Sequence, residues 1–165
     1  MENNAFDGYE KKRRLQGIAR QVKESIGMDK ITISTDKDLL NLDIIINYLQ
    51  KTYWANKRSS ETIKISIDNS ICFGVYLNKS QIGFARVVTD CSVFAYLMDV
   101  FILEEFNGLG YGMELLDYIL SHKDLIDIET FKLGTHDAHE FYKKRGFRNS
   151  AHPEFQMEKL LNNEN

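Results

Sequence analysis

The chain has 165 residues, the size of one domain, with 43% hydrophobic and 27% charged residues in an ordinary globular balance. Its net charge of −3 argues against a nucleic-acid-binding domain, which needs a concentrated basic face to displace phosphate counterions. No run approaches the roughly 20 apolar residues of a membrane-spanning helix, so neither nucleic acid nor membrane is an expected partner.

Met1–Glu10 is polar and acidic where a secretory leader is cationic and then apolar, which points to the cytoplasm. Residues 1–30 hold seven Lys or Arg against five Asp or Glu, and the rest holds fourteen against nineteen. Within that basic stretch Leu15, Ile18, Val22 and Ile26 recur at helical spacing, which predicts a helix over Tyr9–Met28. The stripe is narrow and has no Trp or Phe to insert, so it suits packing on its own domain or a second subunit better than a membrane surface. This gives a helical extension over 1–30 and a domain over 31–165, with a homodimer left open.

Ile31–Ser34 is a short β-branched strand. Asp36 is placed to cap a helix whose apolar positions are Leu39, Leu40, Ile44, Tyr48 and Leu49. Ser59, Ser60 and Glu61 open a second helix to about Asp68. Three apolar runs follow, Ile71–Leu77, Gln81–Thr89 and Val93–Ile102, separated by turns at Asn78-Lys79-Ser80 and Asp90-Cys91-Ser92: an antiparallel meander. A glycine loop then leads into a helix carrying Met113, Leu115, Leu116, Ile119 and Leu120. Glu129–Leu133 is a strand, His136–Arg145 a helix closed by Gly146, and Phe147–Met157 a last strand broken near His152-Pro153. Such an order predicts an α/β domain with a mixed sheet.

Cys72 and Cys91 have no Cys or His at zinc-ligand spacing and read as two small core residues. His136 and His139, three apart beside Asp137, read as a solvated helix start, since two ligands at that spacing make no metal site. No metal is expected.

Gly108, Gly110 and Gly112 lie where a long strand hands over to a helix. Alternate glycines let the backbone turn tightly and approach an anion, and a helix start offers N–H groups and the positive dipole end. A dinucleotide loop wants a third glycine where Met113 stands, and a nucleoside-triphosphate loop ends in Gly-Lys-Ser or Gly-Lys-Thr where Gly112 meets Met113. Both fail, which leaves another phosphate ligand or a bare turn.

Ile102 to Gly112, after a strand and before Met113-Glu114-Leu115-Leu116, resembles the acetyl-CoA motif of the GNAT acetyltransferase superfamily, (Arg or Gln)-x-x-Gly-x-(Gly or Ala). Phe141-Tyr142-Lys143-Lys144-Arg145-Gly146-Phe147 resembles that family's aliphatic-Tyr-x-x-x-Gly-Phe ending, and the element order from Ile31 to about Lys159 also matches. One departure is Asn107, where the family has Arg or Gln.

The resemblance implies a mixed, mostly antiparallel sheet flanked by helices, and acetyl transfer from acetyl-CoA to a primary amine by direct attack through a tetrahedral intermediate. It implies cofactor contacts from Val100, Phe101 and Ile102 along the pantetheine arm, and from Asn107, Gly108, Leu109, Gly110, Tyr111 and Gly112 around the diphosphate. A split between the strand before the loop and Glu129–Leu133, helped by Gly134, would open the slot. Tyr142 takes the role of general acid, with packing beside Phe141 and Phe147 as its plainer role. Asp99, in an otherwise apolar strand, either receives the substrate ammonium and takes its proton or bonds a structural partner, Arg86 being the nearest candidate. Asp90 and a water relay are alternatives, and Tyr96 lines the acceptor side. The acceptor is a small-molecule or peptide amine, held by loops over Lys51–Thr62, with Tyr53 and Trp54, and by the tail after Asn149. A non-catalytic acyl-CoA-binding or regulatory module on the same fold is the second reading, and an interaction protein working through its basic N-terminal helix is the third.

Overall fold

The computed structural model describes residues 30–161, so the helix expected over Tyr9–Met28 lies outside the described residues. Two compact units meet in sequence at Gly134 and Thr135.

The first unit carries the sheet. Its strands are β1 (Thr32–Ser34), β2 (Ile71–Leu77), β3 (Ser80–Thr89), β4 (Phe94–Ile102) and β5 (Thr130–Leu133), and they lie side by side in chain order. The first four pair antiparallel; β4 and β5 pair parallel. The expected mixed, mostly antiparallel sheet is therefore what forms. Asn78 and Lys79, both at positive φ, make the two-residue β2–β3 turn, because both central residues of a type I′ hairpin turn must be left-handed.

Between β1 and β2 the chain departs from the sequence reading. Asp36 caps only a single 3₁₀ turn, Lys37–Leu39, accepting from the Asp38 N–H at 3.0 Å. Leu40 is extended, and Asn41 takes over as cap for α1 (Leu42–Leu49), accepting from the Ile44 N–H at 3.1 Å. Leu39 is consequently exposed, and Ile45 and Leu49 form the buried face. Eight residues cannot hold a helix alone in water; burying those two side chains, about 1.5–3 kcal/mol each, supplies what propensity lacks. Ser59 caps α2 (Ser60–Asp68) through the Thr62 N–H, as its sequence signal predicts.

Alternation along the strands splits the core between two faces. On one, Cys72, Phe84 and Phe101 pack with Ile45, Leu49, Ile63 and Ile67 of the two helices. On the other, Phe73 meets the rings of Tyr118 and His122, the first on α3 (Tyr111–Leu120) and the second just past its end, at 6.2 and 5.4 Å between centroids. Close approach matters at Gly83: a methyl there would sit 2.8 Å from the Phe101 carbonyl oxygen and 2.5 Å from Ile102 Cδ1. Glycine is what lets β3 come up against the end of β4.

The second unit contains α4 (His139–Lys143), shorter than expected, since its approach is a turn in which the Ala138 N–H donates to Thr135 Oγ1 at 3.0 Å. Gly146, expected to close the helix, stands at φ +83° three residues past its end, and Lys144 is the residue that caps it. The strand expected over Phe147–Met157 is absent among the described residues; a 3₁₀ turn, Pro153–Phe155, stands there instead. Pro153 has no N–H for a ladder, and the His152 ring stacks on Phe155 at 4.7 Å, so the turn satisfies itself locally. No helix among the described residues is long and apolar enough to cross a membrane.

Candidate active site

β4 is the element on which the site is built, and it is irregular in two ways. Its pairing with β5 runs from Phe94–Thr130 to Leu97–Leu133 and stops. Met98 to Ile102 then have no β5 partner among the described residues. On the other edge, Phe84 pairs with Phe101 and Arg86 with Met98, so Asp99 and Val100 together oppose Ala85 alone. This is a β-bulge, which bends the strand and increases its twist. Asp99 sits in it at φ +53°, a left-handed conformation that Asp tolerates better than most side chains. β5 ends at Leu133, just before Gly134, so the edge of β4 past Leu97 runs on without a parallel neighbour from β5 among the described residues. Tyr96 lies at this junction, its hydroxyl 3.0 Å from where a Gly134 methyl would stand.

After Ile102 the Leu103 N–H donates to the Ile82 carbonyl at 2.8 Å, and a 3₁₀ turn, Glu104–Phe106, delivers Asn107. The Asn107 N–H is used by the Glu104 carbonyl at 3.1 Å. Gly108 at φ +80° and Gly110 at φ +90° are both left-handed, and Gly110 caps α3. Its carbonyl accepts from the Met113 and Glu114 N–H groups at 3.0 and 3.1 Å, which fixes the first turn. A methyl on Gly110 would meet nothing within 4 Å, so glycine is needed there for its backbone angle while the space beside it stays open. Left-handed residues leading into a helix start turn main-chain N–H groups into a concave anion cradle. An extended edge running into such a cradle fits an amide-bearing arm that ends in a diphosphate.

Asp99 has a structural partner, and more than one. Its side chain is 1% exposed, and its carboxylate accepts from Arg86 Nε at 2.5 Å and from Arg58 Nη1 at 2.8 and 3.0 Å. Arg86 Nη1 donates in turn to Ser70 Oγ at 3.2 Å. Three of the roughly four acceptor positions of a carboxylate are thereby taken by guanidinium groups, which suits Asp99 as a counter-ion and leaves it little capacity as a proton acceptor. Asp90 is likewise committed: it accepts from the Ser92, Val93 and Phe94 N–H groups at 2.9–3.0 Å, and those bonds lower its pKa.

Two residues of the site carried no sequence signal. Arg58 precedes an ordinary helix cap and lies 41 positions from Asp99. Tyr48 looks like one more core position on α1, yet its ring stacks on Phe101 at 3.9 Å, and burial, then the Glu104 charge, raises its pKa. Tyr142 stands on α4 in the second unit, its ring edge-on to Phe141 at 5.0 Å and to Phe147 at 5.8 Å. Among the described residues no three His, Cys, Asp or Glu side chains are grouped to hold a metal.

The cysteines separate. Cys72 is buried on β2, and desolvation pushes its thiol up to about 11, with Lys37 and Arg86 only partly opposing. Cys91, expected in the core, is exposed in the β3–β4 turn at φ +58°. At pH 8 iodoacetamide is expected to alkylate Cys91 in the native protein and Cys72 only after unfolding. Equal native labelling of both, read by mass spectrometry, would contradict the packing of β2 against α1 and α2.

Residues 68–149 match a family model described as an acetyltransferase (GNAT) domain. A Xanthomonas campestris protein assigned to the GNAT family is 39% identical, with a TM-score of 0.78 over 82% of this chain and 96% of that one. The uncharacterised N-acetyltransferase ycf52 of Pyropia yezoensis is 29% identical over 130 residues, 75% of this chain and 74% of the relative. A Gibberella zeae protein named as an acetyltransferase is 32% identical over 107 residues, a match that spans 60% of that protein's length.

Proposed function

We propose that this chain, which belongs to the GNAT family of acetyltransferases, moves an acetyl group from acetyl-CoA to a primary amine by direct attack through a tetrahedral intermediate. The observation that carries the reading is the edge of β4 past Leu97, unpartnered by β5 and running into the left-handed turn that starts α3.

Pantetheine contains amides, so Val100, Phe101 and Ile102 can bond it as they would an added strand. The diphosphate then falls on the N–H groups between Gly108 and Gly112. The helix dipole contributes only about 0.3–1 kcal/mol, so direct hydrogen bonds from main-chain amides carry the affinity. Asn107 in place of Arg or Gln gives up one charge-assisted hydrogen bond, about 1.5–3 kcal/mol, which weakens binding roughly tenfold or more relative to a chain that has it. An amide at Phe101 or Ile102 polarises the thioester carbonyl. Tyr142, by its place in the Tyr-x-x-x-Gly-Phe motif, protonates the leaving thiolate. With Asp99 held between two arginines, we assign removal of the amine proton to water rather than to its carboxylate. The acceptor loop is assigned to the connection between α1 and α2, where Tyr53 and Trp54 are exposed and pack edge-on at 4.9 Å.

The test uses the full chain. Acetyl-CoA at millimolar concentration is expected to raise the melting temperature, and a panel of primary amines is expected to yield at least one that releases free thiol. Stabilisation without thiol release from any amine would leave the non-catalytic acyl-CoA-binding reading in place. No stabilisation would remove both.

A further inference from the structure

The bulge in β4 is held by more charge than neutrality requires. One arginine would balance Asp99; two reach it, from opposite sides of α2 in the sequence. Arg58 directly precedes the cap of that helix, while Arg86 is tied through Ser70 Oγ, which itself donates to the Ser66 carbonyl at 2.6 Å at the other end. Both ends of a nine-residue helix are therefore fastened to one carboxylate. That carboxylate belongs to the left-handed residue of the bulge, and the next three residues are the edge to which the acyl arm is assigned.

We propose that Arg58 and Arg86 are positioning residues: by clamping Asp99 they aim the Val100–Ile102 main-chain groups, and Arg58 couples that edge to the loop bearing Tyr53 and Trp54. The inference rests on the acyl-transfer reading above. A left-handed aspartate relaxes toward ordinary extended backbone when its side chain is released, and a bulge that slides by one residue turns every following amide to the other side. Arg58 is the useful handle, because its side chain is 24% exposed against 7% for Arg86, so removing it leaves no empty core site.

The experiment compares wild type with Arg58→Ala, Arg58→Lys and, as a control on the same loop, Lys57→Ala. Amide hydrogen exchange without ligand is expected to quicken at Val100–Ile102 by about tenfold in Arg58→Ala, the effect of one lost charged hydrogen bond, and to stay as in wild type for Lys57→Ala. In the same variant kcat is expected to fall by about tenfold or more with KM for acetyl-CoA changed less than threefold, and Arg58→Lys is expected to recover part of kcat. Should Arg58→Ala not fold, Arg58→Gln replaces it with the same criteria. Unchanged exchange at Val100–Ile102, or unchanged kcat in an active protein, overturns the clamp. A wild type that neither binds acetyl-CoA nor releases thiol overturns instead the reading on which the clamp rests.

Discussion

Asp99→Ala is expected to cost about 3–5 kcal/mol of stability, the range for removing one partner of a buried ion pair and leaving the other charge uncompensated. Arg86, whose side chain is 7% exposed, cannot turn out to water as Arg58 can, so the loss falls mainly on it. A further part comes from placing Ala at φ +53°, where a β-carbon is crowded. For a chain of this length each kcal/mol moves the melting temperature by about 2–4 °C, so a drop on the order of 10 °C is expected. Urea titration checks it: the midpoint should fall with the slope unchanged. The double replacement Asp99→Ala with Arg86→Met should recover a large share, because it removes the stranded charge along with its partner. A loss below about 1 kcal/mol in Asp99→Ala would mean that the cluster is solvated and holds nothing.

The second large effect belongs to chemistry. Tyr142→Phe is expected to lower kcat by about 10²–10⁴, the usual contribution of a positioned general acid, with KM for acetyl-CoA within a few-fold of wild type. Phenylalanine keeps the edge-on ring contacts with Phe141 and Phe147, so the change isolates the hydroxyl from the aromatic packing. A phenol hydroxyl is a competent proton donor to a departing thiolate at neutral pH. Steady-state turnover at saturating acetyl-CoA and amine decides the matter. Undiminished turnover would return Tyr142 to the role of a packing residue and require another acid.

These two residues were legible in the sequence to different degrees. Tyr142 stands in a recognisable string, but nothing in that string distinguishes an acid from a packed ring. Asp99 announced itself as a charge in an apolar strand, and one of its partners, Arg86, was readable from the meander. The other was not, since a loop arginine before a serine cap looks like countless surface arginines.

What the sequence determined by itself is local. Strand alternation, the cap at Ser59 and the glycine-rich strand-to-helix junction each depend on angles and hydrogen bonds spanning a few residues, so a short window contains their cause. Tertiary structure decided the rest: that β4 runs on past the end of β5 after Leu97, that Asp99 turns left-handed between Arg58 and Arg86, that Cys91 is exposed, and that no strand forms after Phe147 among the described residues. The first two depend on which backbone edge or counter-charge arrives from tens of residues away. A strand needs a neighbouring edge and a buried carboxylate needs a cation, and no local window holds either one.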